Sequence, residues 1–395
     1  MANLVKRILL LDTGNEWGGG TNSMSELLKR IDRTRFAVTA CFYHNYRHGD
    51  STLREALAAI DIPLVILPTR HQPWWAKLAK ELVRGLLFWH KSWRAAAVFR
   101  VEMFWRIRPR AGALAELLRK ENYTLLYMNN QPASNLEGYL AAEQAGVSVV
   151  QHCRIEPKFN AIERDAVNRV ARRVICVSHG VKDALLRQGV RPALCQVVHN
   201  GIDTRQPLPE PQPLPDVAPG TLVIGTIGSL IKRKSVAHLL RAVARLPQDL
   251  TPHLLIVGEG AEAAALRQLV DELGLATRVT FAGFQKQPLS WLAAMDMFVL
   301  GSSSEGLPRV ILEAMLLEKP VIASRIVGSS EVVVHGETGY LYDYGDIGAL
   351  EEHLADLLRN PAKRHAFGAA GRRRASADFS IEAYVAGVTK VLEAA

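Results

Sequence analysis

The chain has 395 residues, 48% of them hydrophobic, with 48 Lys+Arg against 39 Asp+Glu, a formal net charge of +9 and four cysteines. This length exceeds one typical core and predicts two domains. No apolar run approaches the roughly 18 residues needed to span a bilayer, and Cys41, Cys153, Cys176 and Cys195 lack paired Cys-x-x-Cys spacing, so neither a membrane-spanning helix nor a zinc ribbon is expected, and the thiols should be free in a reducing cytoplasm.

In chain order, the apolar run Arg7–Asp12 is too short for a signal-peptide core and predicts a first buried strand. Further strands are expected at 36–43, 63–67, 123–128, 147–152, 173–177 and 195–199, then at 221–227, 252–257, 278–282, 296–300 and 319–323. Helical patterns separate them, which predicts two doubly wound parallel sheets covered on both faces. Gly18-Gly19-Gly20 follows the first strand and precedes a helix expected from about Asn22. Such glycines either let the backbone approach a phosphate or an acceptor, or form a flexible surface loop.

Residues 70–110 hold most of the excess charge. Ten basic residues (Arg70, Lys77, Lys80, Arg84, Lys91, Arg94, Arg100, Arg106, Arg108 and Arg110) face two glutamates, a net of +8, and five of the seven tryptophans lie here. On a helical wheel Trp75, Leu78, Leu82, Leu86, Trp89 and Trp93 fall within about 80° of one another, opposite Lys77, Lys80, Arg84 and Lys91. That is the build of a helix lying in an anionic membrane interface. The alternative is an amphipathic helix packed on its own domain. Nucleic-acid binding lacks any accompanying recognition motif.

His152 closes the run Val147–Gln151, at the strand end where open α/β sheets bind ligands. Arg154 either binds an acceptor anion or pairs with Glu156. His44 and His48 have an i, i+4 spacing but no third ligand, so a surface loop is expected. From Thr204 to Gly220 six prolines exclude helix and inner strand, which predicts a linker. Beyond it, Lys234 sits near the start of a helix through His238, Leu239, Leu240 and Ala242, where a cation opposes the helix dipole unless an anion binds.

The most telling segment is Ser304–Met315. Pro308 suits a first helical position, Gly306 permits close backbone approach, and Leu307, Ile311, Leu312 and Met315 supply a buried face. Glu305 should lie just before the helix and Glu313 roughly 8 Å along it, leaning back. Between the carboxylates lie free N–H groups and a positive dipole end, a gap that fits a diphosphate with hydroxyls on each side. Glu305 could otherwise be a plain N-terminal helix charge, and Glu313 a solvated helix carboxylate. There is no Asp-x-Asp, no Gly-x-Ser-x-Gly elbow and no Walker lysine motif.

With this carboxylate pair the chain resembles the retaining glycosyltransferases of the GT-B fold, family 4 of the sequence-based classification. The resemblance includes Val177-Ser178, Val198–Asp203, Ile227–Leu230 with Lys234, Leu255–Gly260, Phe281–Phe284, Pro320–Ala323 and Gly336–Gly339. It implies an acceptor-binding Rossmann-like domain over 1–203, a linker over 204–220, a nucleotide-sugar domain over 221–378, and a last helix over 379–395 crossing back to the first domain. It further implies Glu305, His152 and Lys234 at the reaction centre. Donor contacts are implied at Gly19, Gly20, Ser229, Lys234, Gly258, Phe284, Glu305, Gly306, Leu307 and Glu313, with Glu313 on the ribose. Ser229 stands where the family usually has arginine, so Lys232 or Arg233 is a candidate replacement for the charge. The implied activity is metal-independent transfer from a nucleotide-diphosphate sugar, a UDP-sugar favoured, to a hydroxyl of a lipid-linked or membrane-surface glycan. No cofactor is expected, and the place of work is the cytoplasm, peripheral on the inner face of the membrane. The alternatives are a non-catalytic nucleotide-sugar-binding protein and a phosphorylase of the same fold.

Overall fold

The computed structural model describes residues 5–14, 17–48, 51–69 and 71–395; Arg70 lies outside them. The chain divides into two compact units. Unit 1 comprises the residues up to Cys176 with Ala184–Gln196 and Val388–Ala395, and unit 2 comprises Val177–Asp183 and Val197–Gly387.

Unit 1 carries strands β1 (Lys6–Asp12), β2 (Phe36–Phe42), β3 (Arg47–His48), β4 (Ser51–Thr52), β5 (Leu64–Ile66), β6 (Leu125–Met128), β7 (Ser148–Cys153), β8 (Ala171–Cys176) and β9 (Cys195–Val197). Seven form one sheet in the order β5-β2-β1-β6-β7-β8-β9, and β3 and β4 make a short antiparallel ladder. β1 is parallel to both β2 and β6, so the strand order reverses there and leaves a crevice beyond Asp12 and Met128. The helices are α1 (Gly19–Arg30), α2 (Leu53–Ala58), α3 (Trp74–Leu86), α4 (Lys91–Glu102), a π-helical turn (Met103–Ile107), α5 (Arg108–Lys120), α6 (Leu136–Ala145), α7 (Ala161–Val170) and the later part of α8 (His179–Arg187). Ile8–Leu11 and Leu125–Met128 are enclosed on both faces, which is why these strands read as continuous apolar runs without alternation.

Unit 2 has β10 (Val223–Ile227), β11 (His253–Val257), β12 (Val279–Gly283), β13 (Met297–Leu300), β14 (Val321–Ser324) and β15 (Gly339–Tyr342), all parallel, in the order β12-β11-β10-β13-β14-β15. Its order reverses between β10 and β13. The helices are α9 (Val236–Arg245), α10 (Ala263–Glu272), α11 (Pro288–Ala293), α12 (Arg309–Leu316), α13 (Ser329–Val332), α14 (Ile347–Arg359), α15 (Pro361–Asp378) and the first part of α16 (Ile381–Ala394). In α9, Val236, Leu239, Leu240 and Val243 repeat at i, i+3, i+4, i+7 and bury against Ile224, Leu254 and Ile256 of the sheet. Each such side chain contributes about 2 kcal/mol.

All twelve predicted strands are present, with ends shifted by at most three residues. β15 was not expected, because Gly339-Tyr340-Leu341-Tyr342 is short and follows turn residues. The predicted Trp75–Trp93 helix is two helices. α3 closes at Leu87, whose N–H donates to the Val83 carbonyl, and a turn through His90 separates it from α4; Gly85 weakens its last turn. Trp89 therefore sits in the turn and Trp93 on α4. The proline-rich stretch 204–220 forms neither helix nor strand and falls inside unit 2, whose boundary lies earlier, at Val197. Of α16, only Val388 onward belongs to unit 1.

Candidate functional site

In unit 2 the loops after β10, β11 and β13 converge. Gly228 donates its N–H to the Val257 carbonyl at 3.0 Å, and Gly258 donates to Gly283 at 2.8 Å. Gly258 has φ 137° and lies so close to Gly228 that a Cβ would stand 2.0 Å from the Gly228 oxygen. Only glycine lets these loops stack. A single 3-10 turn, Lys232–Lys234, then runs into α9 through Ser235 at φ 47°, and turns two of its three cations toward β13. Arg233 Nη1 donates to the Ser304 carbonyl at 2.7 Å and to Glu305 Oε1 at 2.8 Å, and Lys234 Nζ donates to the same oxygen at 2.7 Å. Glu305 is 8% exposed. Burial pushes its carboxyl up, but Lys234 and Arg233 outweigh that and hold it below the ordinary carboxylate range.

Gly306 and Leu307 lead from Glu305 into α12. Pro308 is the residue before the first turn, at φ −73° and ψ 108°, one position earlier than predicted; lacking an N–H, it still suits a helix start. Ile311, Leu312 and Met315 are buried as expected. The first amides of α12 have no intrahelical acceptor and present partial positive charge. Gly328, at φ 83°, would place a Cβ 2.3 Å from the Gly306 oxygen, so this loop too is set by a close backbone crossing. Glu313 is half-buried and pairs with Arg309, one turn back, at 3.4 Å, while Arg309 also donates to the Gly201 carbonyl at 3.1 Å. At the end of β12, the Phe284 ring is 43% exposed beside the Gly258–Gly283 bond.

In unit 1 the ends of β1, β6 and β7 meet in a polar network. Asp12 accepts from the Gly14 N–H (2.7 Å), Asn129 Nδ2 (2.6 Å) and Asn130 Nδ2 (2.5 Å). Asn129 Oδ1 accepts from Arg154 Nε at 2.8 Å, and Gln151 bridges Tyr139, Asn135 and the Asn130 carbonyl. His152 is wholly enclosed, its Nδ1 2.6 Å from the Tyr127 hydroxyl on the adjacent strand. Burial, and then Arg154, push its pKa well below the ordinary histidine value, so the ring is neutral. Gly19 and Gly20 are the first residues of α1 rather than a loop before it, and Gly20 lies against the Arg154 side chain. A cavity of about 540 Å³ is lined by Thr13, Tyr43, Phe99, Glu102, Arg106 and Arg110, among others.

The family model described as glycosyl transferases group 1 matches residues 216–374, and that described as glycosyltransferase family 4 matches residues 17–206. The chain belongs to the group 1/family 4-type glycosyltransferases. The lipopolysaccharide core biosynthesis glycosyltransferase LpsD of Rhizobium meliloti (strain 1021) is 37% identical over 179 residues, 44% of this chain and 51% of that relative. The chain thus spans about half that relative's length. The N-acetyl-alpha-D-glucosaminyl L-malate synthase of Bacillus anthracis is 28% identical over 290 residues, 70% of this chain and 76% of that one. Among solved structures, Anabaena Alr3699/HepE in complex with UDP-glucose superposes with a TM-score of 0.77 at 23% identity, covering 98% of this chain and 100% of that one. With the two parallel sheets, this likeness gives the glycosyltransferase the GT-B fold.

For this glycosyltransferase the structure gathers Arg233, Lys234, Glu305 and the α12 amides within unit 2, with Ser229 on the loop after β10. Of the two candidate replacements for the charge absent at Ser229, Arg233 is held by Ser304 and Glu305 whereas Lys232 is exposed. Three departures from expectation stand out. Lys234, where a bound phosphate was expected to offset the helix dipole, is met by the chain's own Glu305 carboxylate. His152, expected to face the cleft at the C-terminal end of its strand, is wholly enclosed. Arg154 bonds Asn129, while Glu156 pairs with Arg187 at 3.8 Å. Sequence reasoning missed Arg309, although its i, i+4 spacing to Glu313 was a usable signal. It also missed Asp12, Asn129 and Gln151, whose partners are remote in sequence and left no local pattern.

Around α3 and α4, Trp74 (78% exposed), Phe88 (65%), Trp89 (62%) and Trp93 (69%) face solvent with Leu78, Leu82 and Leu86. Trp75 is less exposed and meets Phe104 edge-on. Lys77 and Lys91 are exposed, and Arg84 pairs with Glu81. Lys80 turns inward instead, to Glu102 at 2.5 Å and over the Trp105 ring. Packing on its own domain therefore does not account for this surface. Among the described residues no helix is long and apolar enough to cross a membrane.

Proposed function

We propose that the protein is a retaining glycosyltransferase that moves a sugar from a nucleotide-diphosphate sugar, a UDP-sugar favoured, to a hydroxyl of a lipid-linked or membrane-surface glycan, without a metal in the transfer step. The observation that carries the proposal is the pairing of Arg233 and Lys234 with a buried carboxylate beside the α12 N-terminus. A leaving diphosphate needs concentrated positive charge, and two cations with unsatisfied helix amides supply it without a metal. Glu305, screened by those cations, would accept hydrogen bonds from the donor sugar, and Glu313, steadied by Arg309, from the ribose diol. The acceptor would belong to unit 1, where the 540 Å³ cavity offers paired carboxylates and guanidinium groups to sugar hydroxyls. Support for the donor comes from the UDP-glucose complex of the Anabaena protein, and for the acceptor from the lipopolysaccharide core role in the name of LpsD.

The exposed aromatic surface of α3 and α4 has the composition of a membrane contact, tryptophan and leucine flanked by Lys77, Arg84 and Lys91. On this proposal the enzyme works peripherally on the inner face of the membrane. The test incubates the chelator-treated enzyme with a UDP-sugar panel and acceptor glycolipid in anionic vesicles, following the new linkage by NMR. The expected product keeps the donor's anomeric configuration. Neutralising Lys77, Arg84 and Lys91 together should release the protein from the vesicles, since each cation contributes up to about 1 kcal/mol near such a surface. An inverted linkage, a metal requirement or unchanged vesicle binding would each remove the corresponding part.

A further inference from the structure

A second cluster in unit 2 is made of residues that have no part in the donor proposal, although its neighbour Asn200 donates to the Leu307 carbonyl at 3.0 Å. His179 opens α8, His199 follows β9, and Glu331 sits in α13; one ligand atom from each lies within 4.8 Å of the others. His199 Nε2 is 3.3 Å from Glu331 Oε2, and the two imidazole rings are 5.7 Å apart, edge to face. Glu331 also accepts from the N–H groups of His179 at 2.8 Å and Gly180 at 2.6 Å. Capping α8 accounts for the carboxylate. It does not require two imidazoles near the same carboxylate, drawn from two further chain segments.

We propose that His179, His199 and Glu331 form a binding site for a divalent transition metal of the zinc class, distinct from the nucleotide-sugar site. Bonds of about 2.0–2.1 Å in tetrahedral geometry hold ligand atoms roughly 3.3 Å apart, the spacing already present between His199 and Glu331. The exposed His179 ring closes the remaining gap by side-chain rotation. Two imidazole nitrogens with one carboxylate oxygen suit zinc, whereas magnesium and calcium require oxygen ligands. The backbone N–H groups that hold Glu331 are the outer-shell support such a ligand needs. An ion here would tie Val177–Asp183 and the start of Val197–Gly387, the two segments where the chain enters unit 2 from unit 1, to α13.

The whole chain, stripped with a chelator, is titrated with zinc chloride by calorimetry and with cobalt(II) by visible absorption. One zinc per chain should bind with micromolar affinity, and cobalt should show the intense bands of four-coordination. His179→Ala, His199→Ala and Glu331→Gln should each weaken zinc at least about tenfold, and zinc should raise the melting temperature of wild type but not of His179→Ala. His179 is exposed, so that variant stays folded if the half-buried substitutions do not. UDP binding by the zinc-free protein should be unchanged in His179→Ala, which separates this site from the donor proposal. Absence of saturable zinc binding, or wild-type affinity in both histidine variants, overturns the proposal.

Discussion

Beyond β10 and β13 unit 2 concentrates charge, with Arg233, Lys234 and Glu305 in mutual hydrogen-bonding contact, whereas beyond β1, β6 and β7 unit 1 gathers amides around Asp12 and a neutral His152. Both regions occupy the crevice that a doubly wound sheet leaves where its strand order reverses. The difference follows from what each must do. On the proposed function the cations of unit 2 must stay available to an anionic ligand, and Glu305 holds both of them in place. In unit 1 the buried Asp12 carboxylate and Arg154 guanidinium are joined through Asn129, so their charges are met by hydrogen bonds and the network can serve as a rigid floor.

The largest effect should come from breaking that floor. Asn129→Leu removes a donor from Asp12 and an acceptor from Arg154 in one substitution, and should cost about 3 kcal/mol in urea unfolding; a loss below about 1 kcal/mol would mean the network is not structural. Lys234→Ala tests the charged side. It should weaken UDP roughly 100-fold by calorimetry, the value of one charge-assisted contact to phosphate, while Arg233 keeps Glu305 paired and stability falls less. Equal losses of stability and UDP affinity would blur the contrast between the two regions.

Smaller and more selective, Glu313→Gln should weaken UDP about tenfold and leave inorganic pyrophosphate unaffected. If pyrophosphate weakens too, Glu313 acts on the diphosphate through Arg309 and not on the ribose.

The smallest effect concerns pH. His152 has a folded pKa well below its ordinary 6.5, for burial first and Arg154 second, so below pH 6.5 the unfolded chain binds a proton that the folded one does not. Stability from this site is complete above pH 6.5 and declines as pH falls, by up to about 1.4 kcal/mol per unit. His238, His253 and His353 are also shifted down, so the difference between wild type and His152→Gln isolates this one group. Identical pH profiles would show that His152 is not held neutral.

Much of the site was legible because its parts are local. Ser304–Met315 announces a loop, a helix start and two carboxylates in twelve residues, and Gly228 and Gly258 mark strand ends. What was illegible has partners far away: Arg233 reaches Glu305 across 72 positions, and Asn129 reaches Asp12 across 117. The Trp75–Trp93 pattern shows the opposite failure, since its apolar spacing is regular while Leu87–His90 breaks the helix.

The sequence by itself determined two parallel sheets, their strands and the position of α12, because burial on both faces demands continuous apolar runs and helix starts depend on a few adjacent residues. Tertiary structure alone decided which charges meet. It paired Lys234 with Glu305, enclosed His152 and turned Lys80 inward, because electrostatic partnership depends on distance and local dielectric, and neither is written in the spacing of residues along a chain.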